Sequence, residues 1–249
     1  MTRVESVRRL AECMKEAQSI VFFGGAGVST NSGIPDFRSA HGIYAGPHGK
    51  TYEEMLSHDY MLLYPEAFWD FYRSVMLYPD AQPNTAHHVL ARMEQAGRLT
   101  AVVTQNIDGL HQAAGSEMVW ELHGSVHRNY CMRCGEAFSL GEILPMDTVP
   151  RCPRCGGMIR PDVVLYGEPL DDGVTVAALE SIRTCDLLIV GGTSLVVYPA
   201  AGMIQYRRAR CNLALINRDE TSYDRQAEIV IHDDIGRVLE EAWEMAGEA

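Results

Sequence analysis

Several features that identify common classes of protein are missing from this sequence of 249 residues. No apolar run approaches the roughly 18 residues of a membrane span, and the opening segment, MTRVESVRRL, has no continuous apolar core of a signal peptide. Basic residues are scarce relative to acidic ones, 21 against 33, so the net charge is −12. A protein that binds duplex nucleic acid normally presents a basic face. We therefore expect a cytoplasmic protein that binds neither membrane nor nucleic acid directly.

The usual signatures of hydrolases and nucleotide phosphatases are also absent. The sequence contains no Gly-x-Ser-x-Gly elbow and no His-Glu-x-x-His helix. No Walker lysine follows a glycine loop, and we find no internal repeat. The sequence therefore shows none of the motifs typical of standard serine hydrolases or metallohydrolases.

A strand followed by small residues opens the informative part of the chain. The apolar run Ile20–Phe23 predicts a buried strand, and Gly24–Gly27 contains little bulk. Val28–Asn31 can then begin a helix, whose first N–H groups favour an anion. This order predicts a nucleotide-diphosphate site, although Thr30 replaces the third glycine of the dehydrogenase fingerprint and a pair of glycines also occurs in ordinary tight turns. Gly33–Arg38 should end the helix and bring polar and aromatic groups beside the phosphates.

The rest of the chain alternates between helical and strand patterns, which predicts an α/β fold with a parallel sheet. Residues 40–83 are an exception, because a loop and an aromatic-rich helical stretch stand where a dehydrogenase would place its second strand and an acidic residue for the ribose. We read this segment as a helical insertion that counts against hydride transfer. Helices are predicted from Val4 to Met14, from Asn84 to Gln95, at 174–183, from Pro199 and after Asp233 or Asp234, and strands at 99–103, 118–122, 163–166, 187–190, 213–216 and 228–231.

Four of the seven cysteines occur as two Cys-x-x-Cys pairs, Cys131 with Cys134 and Cys152 with Cys155, with 17 residues between the pairs. This spacing is typical of a four-cysteine zinc site. Four thiolates leave no open position on the metal, so we expect a structural zinc ion. The alternative is two disulfides or idle buried thiols, which the lack of an export signal disfavours.

Polar residues follow two predicted strands at the edge where open α/β sheets bind ligands. Thr104–His111 follows the strand at 99–103, and His123 follows the strand at 118–122. An imidazole with a pKa near neutral is a natural base for a sugar hydroxyl, so His123 is the candidate base and His111 is its rival. Asn106 and Asp108 are candidate site residues that could also simply cap a turn.

Seven features together resemble the signature of the sirtuin family and occur in that family's order from about residue 20 to residue 217. They are GAGVS at Gly25–Ser29, GIPDFRS at Gly33–Ser39, TQNIDGLH at Thr104–His111, ELHG at Glu121–Gly124, the four cysteines, RPDVVLYGE at Arg160–Glu168 and GTSLVVYP at Gly192–Pro199.

The resemblance implies an NAD-dependent protein-lysine deacetylase that also binds zinc. In such enzymes the oxygen of the acyl-lysine attacks the ribose carbon as nicotinamide leaves, and a general base then activates a ribose hydroxyl toward the acyl carbon. The products are free lysine, nicotinamide and O-acetyl-ADP-ribose, and the partners are proteins or peptides that carry acetyl-lysine. The implied fold is a Rossmann-like NAD-binding domain at 1–40, 84–126 and 161–249, with a small domain made of the helical insertion at 41–83 and the zinc module at 127–160.

The resemblance also assigns roles to individual residues. The implied catalytic residues are His123, Asn106 and Asp108. The implied NAD contacts are Gly25, Ala26, Gly27, Ile34, Asp36, Phe37, Arg38, Gln105, Asn106, Ile107, Asp108, Gly192, Thr193, Ser194, Asn217, Asp234 and Ile235. Val163, Gly167 and Glu168 on one side, with Leu195, Val196 and Val197 on the other, would hold the substrate backbone as an added strand.

Two departures from the family pattern bear on specificity. Desuccinylase-type members carry Tyr-x-x-Arg in the helical insertion, and here Tyr72 is followed by Val75 at the arginine position. We therefore expect neutral acyl groups, acetyl first. Tyr166 replaces the phenylalanine of many members. The competing interpretations are a nicotinamide-dependent oxidoreductase, a non-catalytic zinc-bearing binding module and a mono-ADP-ribosyl transferase.

Overall fold

The computed structural model describes residues 2–36 and 51–247 of the chain. The strands in chain order are β1 (Ile20–Gly24), β2 (Leu99–Thr104), β3 (Val119–Glu121), β4 (Gly124–Cys131), β5 (Ala137–Ser139), β6 (Ile159–Val163), β7 (Leu187–Gly191), β8 (Asn212–Ile216) and β9 (Ile229–Ile231). The α-helices are α1 (Arg3–Glu16), α2 (Tyr52–Met55), α3 (His58–Leu63), α4 (Pro65–Val75), α5 (Thr85–Gln95), α6 (Leu110–Ala113), α7 (Leu140–Ile143), α8 (Asp172–Thr184) and α9 (Ile235–Ala246).

A parallel six-stranded sheet runs in the order β3-β2-β1-β7-β8-β9. Numbered within this sheet alone, the order is 3-2-1-4-5-6, which is the doubly wound Rossmann arrangement. The chain reverses direction across the sheet between β1 and β7, so the loops after these two strands diverge and leave a crevice at the carboxyl edge. The predicted α/β fold with a parallel sheet is confirmed.

Apolar side chains on both faces of the sheet explain why its strands appear as continuous hydrophobic runs. In β1, Ile20 and Phe22 pack with α1, α5 and α9, whereas Val21 and Phe23 pack on the opposite face with α8. Successive side chains of a strand point to opposite faces, so this alternation gives the sheet two cores. All four side chains are fully buried.

Local signals position the helices beside the sheet. Asn84 begins α5, where its side chain accepts a hydrogen bond from the backbone N–H of Ala86, and its amide also donates to the carbonyl of Val28 at 2.8 Å. Asp234 accepts from the backbone N–H of Arg237 and begins α9. An N-cap side chain satisfies an N–H group that has no partner inside the helix. These predicted helix starts are confirmed, with Asp234 and not Asp233 as the cap.

Three predicted elements differ in the structure. The helix expected from Val28 is a pair of 3-10 turns, Ala26–Val28 and Thr30–Ser32, which ends at Gly33 in the left-handed conformation. A 3-10 helix, Ala200–Tyr206, follows Pro199. The strand expected at 163–166 lies earlier, as β6, and pairs antiparallel with β4 instead of joining the large sheet.

A third hydrophobic core joins the helical insertion to the cysteine-bearing segment. The antiparallel strands β5-β4-β6 form a small sheet. Phe68, Trp69 and Tyr72 of α4 are fully buried in one cluster that also contains Ile159 of β6 and Leu140 of α7. The division of the chain into two domains stays a prediction, and its boundaries at 126 and 160 fall inside β4 and β6.

Among the described residues, no helix is both long enough and apolar enough to cross a membrane.

Candidate active site

A cavity of about 1080 Å³ opens at the carboxyl edge of the large sheet and extends toward the small sheet. Most of the predicted site residues line it: Gly25, Ala26, Gly27, Ile34, Asp36, Gln105, Asn106, Ile107, Asp108, His123, Val163, Gly167, Glu168, Gly192, Thr193, Ser194, Val197, Asn217, Asp234 and Ile235. Phe37 and Arg38 lie outside the described residues. Leu195 and Val196 are not part of the cavity wall.

Two glycine turns meet where the sheet reverses direction. The backbone N–H of Gly27 donates to the carbonyl of Gly192 at 2.8 Å. A Cβ on Gly27 would lie 2.8 Å from the Cα of Gly192, and a Cβ on Gly192, whose φ is +61°, would lie 2.4 Å from the nitrogen of Val28. Only glycine allows this close approach without moving the backbone. The cavity edge is therefore bare backbone of the kind that a diphosphate can approach.

A hydrogen-bonded group of three side chains lies beside these turns. Ser29 donates to Asp108 at 2.6 Å, and the amide of Asn106 donates to Ser29 at 3.1 Å. Asp108 also accepts from the backbone N–H of Leu110 at 2.9 Å, and Asn106 is 9% exposed. The chain from Asn106 through Ser29 to Asp108 fixes the amide and the carboxylate relative to each other. Asp108 thus caps a local turn, and both Asn106 and Asp108 line the cavity.

The imidazole of His123 has a defined protonation pattern. Its Nδ1 lies 2.9 Å from the carbonyl oxygen of Gln105, which can only accept, so Nδ1 carries the proton. In the neutral ring Nε2 then holds the lone pair. Burial lowers the pKa of His123, and the hydrogen bond to the Gln105 carbonyl opposes this shift only in part. His123 is therefore a neutral base at pH 7.

The rival histidine does not reach the cavity. His111 is 1% exposed, packs against the rings of Phe22 and His87, and is absent from the cavity wall. Burial lowers the pKa of His111 well below its usual value. Its position in the core identifies it as a packing residue and leaves His123 as the candidate base.

Polar groups at the ends of β7 and β8 form the other half of the cavity. Asn217 accepts from the backbone N–H of Thr193 at 2.9 Å, while its Nδ2 is buried and has no protein partner. A buried amide donor on a cavity wall fits a ligand that offers an acceptor. Asp234 is already engaged, since it accepts from Asn31 at 2.7 Å and from Arg218 at 3.0 Å.

Together the glycine turns, the unpartnered Asn217 donor and the Asn106–Ser29–Asp108 group fit a dinucleotide. The turns offer backbone to a diphosphate, and the polar side chains on either side of them offer donors and acceptors to two ribose-linked halves. NAD is thus compatible with the residues that are present.

A buried ion pair shapes the loop that follows β6. The Arg160 guanidinium makes two hydrogen bonds to the Glu168 carboxylate, which also accepts from His58 at 2.7 Å and from the backbone N–H of Leu165 at 2.8 Å. Burial works to raise the pKa of Glu168, but Arg160, the Leu165 N–H and His58 together hold it at about 2. Glu168 therefore fixes loop 164–168 from inside and is not free to bind a substrate.

The second predicted substrate segment is only partly exposed to the cavity. Leu195 has a φ of 54°, and its side chain is 2% exposed in the core that contains α8. Val196 points outward and is 45% exposed, whereas Val197 lines the cavity. The predicted role of Leu195, Val196 and Val197 in holding a substrate backbone stays a prediction, and of the three only Val197 lines the cavity.

The four cysteines of the paired motifs converge. All four Sγ atoms lie within 4.8 Å of one another, and Cys131 to Cys155 and Cys134 to Cys152 measure 3.4 Å and 3.7 Å. These distances exclude disulfides, whose S–S bond is about 2.05 Å, and they are close to the roughly 3.8 Å between sulfurs in a tetrahedral zinc site with 2.3 Å bonds. The backbone N–H of Glu136 and then Arg154 lower the pKa of Cys134 to about 6, which favours the thiolate that a metal requires.

Two cavity residues, Ser29 and Arg218, and His58 behind the cavity-lining Glu168 carried no predicted role. Ser29 stands inside the first glycine motif, yet only the structure shows that it bridges Asn106 and Asp108. Arg218 follows Asn217 directly and reaches Asp234 across the cavity edge. His58 contacts Glu168 from α3, 110 residues away along the chain. A polar residue next to a motif is a usable signal for Ser29 and Arg218, but no sequence signal links His58 to Glu168.

The cysteine cluster leads to a prediction about metal content. We expect about one zinc per chain by inductively coupled plasma mass spectrometry, because four thiolates complete one tetrahedron. Cys152→Ser should lose most of the metal and lower the melting temperature, since the hydrophobic core that joins the helical insertion to the cysteine-bearing segment packs directly on this site. Cys13→Ser, which changes a buried cysteine of the large core, is the matched control and should keep the metal. Full zinc retention by Cys152→Ser would contradict the assignment.

The Glu168 ion pair leads to a prediction about pH. Its folded pKa of about 2 lies below the ordinary glutamate value of about 4.3, so ionised Glu168 stabilises the fold above pH 4.3, and this contribution disappears as the pH falls toward 2. The difference in unfolding free energy between wild type and Glu168→Gln should therefore be constant above about pH 5 and shrink between pH 4.3 and 2. Urea titrations at several pH values measure it. The control Glu117→Gln removes an exposed carboxylate, and an equal slope in both variants would refute the argument.

Comparison with known proteins agrees with the family resemblance that the sequence motifs indicate. The Sir2 family model matches residues 25–199. A protein named NAD-dependent protein deacetylase from Clostridium acetobutylicum is 53% identical over 243 residues, which cover 96% of this chain and 99% of that protein. A structure of Sir2 with a p53 peptide and NAD+ has a TM-score of 0.88 and 35% identity, with 98% of this chain and 99% of that chain covered.

A further Sir2 structure contains a deacetylated p53 peptide and 3'-O-acetyl ADP ribose, and it matches with a TM-score of 0.89 and 36% identity over 97% of this chain and 98% of that chain. The match to the family model spans most of the chain, and the relatives are similar over nearly their whole length. The chain belongs to the Sir2 family, the sirtuins.

Proposed function

We propose that this protein is an NAD-dependent protein-lysine deacetylase that releases nicotinamide and O-acetyl-ADP-ribose. One observation carries the proposal: His123 presents an unprotonated Nε2 in the same cavity as the paired glycine turns and the loop after β6. The names of the relatives agree with this reaction, and so does the Sir2 structure that holds an acetylated ADP-ribose.

The residues of this chain bind and orient NAD, and one of them moves a proton. When bound, NAD supplies the nicotinamide leaving group and the ribose hydroxyl that receives the acyl group. The turns at Gly25–Gly27 and Gly192 hold the diphosphate, and Asn217 offers its buried amide to the adenosine half. Asn106 and Asp108 orient the nicotinamide half, and Ser29 keeps both in place.

His123 acts as the general base. Its Nε2 accepts the proton of a ribose hydroxyl, and the Gln105 carbonyl, which already holds Nδ1–H, stabilises the resulting imidazolium. The lowered pKa means that the ring is ready to accept at neutral pH and releases the proton easily afterwards. No side-chain nucleophile is needed, which agrees with the missing serine and metal signatures.

The peptide is held between the two sides of the cavity mouth. Loop 164–168 is fixed at one side by the Arg160–Glu168 pair, and its Tyr166 exchanges backbone hydrogen bonds with Leu56 and His58. Val197 lies at the other side, in the segment that also contains Leu195 and Val196. An extended peptide can add to such edges through main-chain hydrogen bonds. We propose proteins or peptides with acetyl-lysine as partners, while cytoplasmic location and the lack of membrane or nucleic-acid binding stay predictions.

The reaction is tested by incubating the protein with NAD and an acetyl-lysine peptide and analysing the products by mass spectrometry. Nicotinamide, deacetylated peptide and acetylated ADP-ribose should form in equal amounts, and withholding NAD should stop deacetylation. His123→Ala should lower kcat by roughly 100-fold or more, because a general base contributes about that factor. Its affinity for NAD should change little.

Because the pKa of His123 is lowered, the rate should fall only below the pH of about 6.5 at which a free imidazole titrates.

Deacetylation that proceeds without NAD would overturn the proposal, and so would a His123→Ala variant as fast as wild type. His88→Ala is the matched control, since His88 is exposed on α5 and lies outside the cavity wall. Transfer of ADP-ribose to the peptide without loss of its acetyl group would instead favour mono-ADP-ribosyl transfer.

Acyl selectivity is expected to follow Val75, which lines the cavity at the end of α4. A valine cannot pair with a carboxylate, so kcat/KM should be higher for acetyl-lysine than for succinyl-lysine peptides. Val75→Arg should raise the succinyl rate relative to the acetyl rate, and Val75→Met controls for side-chain length. Faster succinyl removal by wild type would contradict the expectation.

A further inference from the structure

Two cysteines outside the zinc cluster meet at the edge of the large sheet opposite the cavity. Cys185 follows α8 and precedes β7, and Cys211 directly precedes β8. These strands are parallel neighbours, and the N–H of Asn212 donates to the carbonyl of Asp186 at 2.9 Å. The strand pairing therefore places both cysteines at the amino-terminal edge, whereas the cavity lies at the carboxyl edge.

The two thiols are in direct contact but are not bonded. Their Sγ atoms lie 3.5 Å apart, and both cysteines are free. A disulfide needs about 2.05 Å, so a side-chain movement of roughly 1.5 Å would close the bond. Cys185 is fully buried and Cys211 is 4% exposed. Cys211 directly follows the exposed residues 208–210 and is the more exposed of the two cysteines.

The surroundings of the pair are unusually basic for a chain with a net charge of −12. Arg183, Arg207, Arg208 and Arg210 all lie within four residues of one of the two cysteines. Arg208 donates to the carbonyl of Cys185 at 3.2 Å. Asp186 is the acid next to the pair, and its carboxylate is engaged by the N–H groups of Gln18 and Ser19. Positive surroundings favour a thiolate.

The two thiols are not equivalent. The hydrogen bond that it shares with Cys185, followed by the charge of Arg207, lowers the pKa of Cys211 despite its burial. The same hydrogen bond and burial raise the pKa of Cys185. This asymmetry resembles the division between an attacking thiolate and a resolving thiol in redox-active pairs.

We propose that Cys185 and Cys211 form a redox-modification site that hydrogen peroxide converts into an intramolecular disulfide. The Cys211 sulfur attacks the peroxide, the O–O bond breaks, and water leaves while one oxygen stays on sulfur as sulfenic acid. The Cys185 sulfur then loses its proton and attacks the Cys211 sulfur, so that the S–S bond forms, the S–O bond breaks and a second water leaves. Two thiols are oxidised by two electrons, and the peroxide is reduced.

The disulfide would join α8 to β8 without entering the cavity. The five residues of β7 separate its two ends by roughly 13 Å, at about 3.3 Å per residue. Oxidation at this site should therefore change stability and leave deacetylation unchanged. A bond that closes a loop of about 26 residues restricts the unfolded chain, and we expect the melting temperature to rise by roughly 5 to 10 °C.

The test treats the full-length, zinc-loaded protein with a few equivalents of hydrogen peroxide, alkylates the remaining thiols and digests without reduction. Trypsin cuts after Arg183, Arg207 and Arg210 and so leaves the cysteines on separate peptides, 184–207 and 211–218. The expected product is one cross-linked peptide, two hydrogens lighter than the sum of its parts. Zinc release, followed with a chromogenic chelator, should require more peroxide than the cross-link does.

Single variants separate the two roles. In Cys185→Ser the sulfenic acid on Cys211 should persist, and a 1,3-dione probe should label it at least about 10-fold more than in wild type. In Cys211→Ser, Cys185 should remain unlabelled. Cys13→Ser, a buried cysteine in the other core, is the matched control and should keep the wild-type cross-link.

The wild-type experiment shows whether the Cys185–Cys211 disulfide forms, even if a serine variant fails to fold. Absence of the cross-linked peptide from folded, peroxide-treated protein would overturn the proposal, as would release of zinc before any cross-link forms. Labelling of Cys185 in Cys211→Ser would reverse the assigned roles and contradict the mechanism. None of these outcomes depends on whether the protein deacetylates peptides, so this inference and the proposed function stand or fall separately.

Discussion

The contact between the turns after β1 and β7 is the constraint on which the rest of the site depends. The carbonyl of Gly192 accepts the N–H of Gly27 at 2.8 Å, and neither glycine has room for a Cβ. The contact forms at the point where the strand order reverses, so the backbone itself makes the floor of the cavity. Gln105 extends the arrangement to β2, because its side chain donates to Thr193 at 3.0 Å and its backbone N–H donates to the Gly24 carbonyl at 3.0 Å.

That arrangement also defines the tautomer and the protonation state of the candidate base, His123. Because Gln105 is held from both sides, its carbonyl is in a fixed place to accept Nδ1–H of His123. The hydrogen bond selects the tautomer, and burial keeps the ring neutral. Burial and hydrogen bonding shift the pKa in opposite directions, so a more buried ring would accept protons less readily and a more exposed ring would be charged more often. The position of one carbonyl therefore connects backbone packing to proton transfer.

The sequence predicted those parts of the fold that depend on neighbouring residues. The strands of the large sheet are apolar runs, Asn84 caps the helix that follows it, and the cysteine pairs have a spacing that allows one metal site. The errors involve distant partners. β6 pairs with β4 across a gap of about 30 residues, so its apolar residues alone could not show which sheet it joins. The sequence also did not show that Leu195 has a left-handed backbone and a side chain in the core.

The same distinction explains why the sequence did not show the ion pair at Glu168. As part of a motif beside the cavity, Glu168 resembles a ligand contact, yet Arg160, His58 and the N–H of Leu165 use both carboxylate oxygens. Its charge is buried with a matching guanidinium, and removal of either partner would leave an uncompensated buried charge. In the proposed reaction the dinucleotide supplies both the nucleophile and the leaving group. The residues of this chain therefore serve to position the reactants. The Arg160–Glu168 pair supports this role by fixing loop 164–168 relative to His123, whose carbonyl accepts the N–H of Val164 at 3.0 Å.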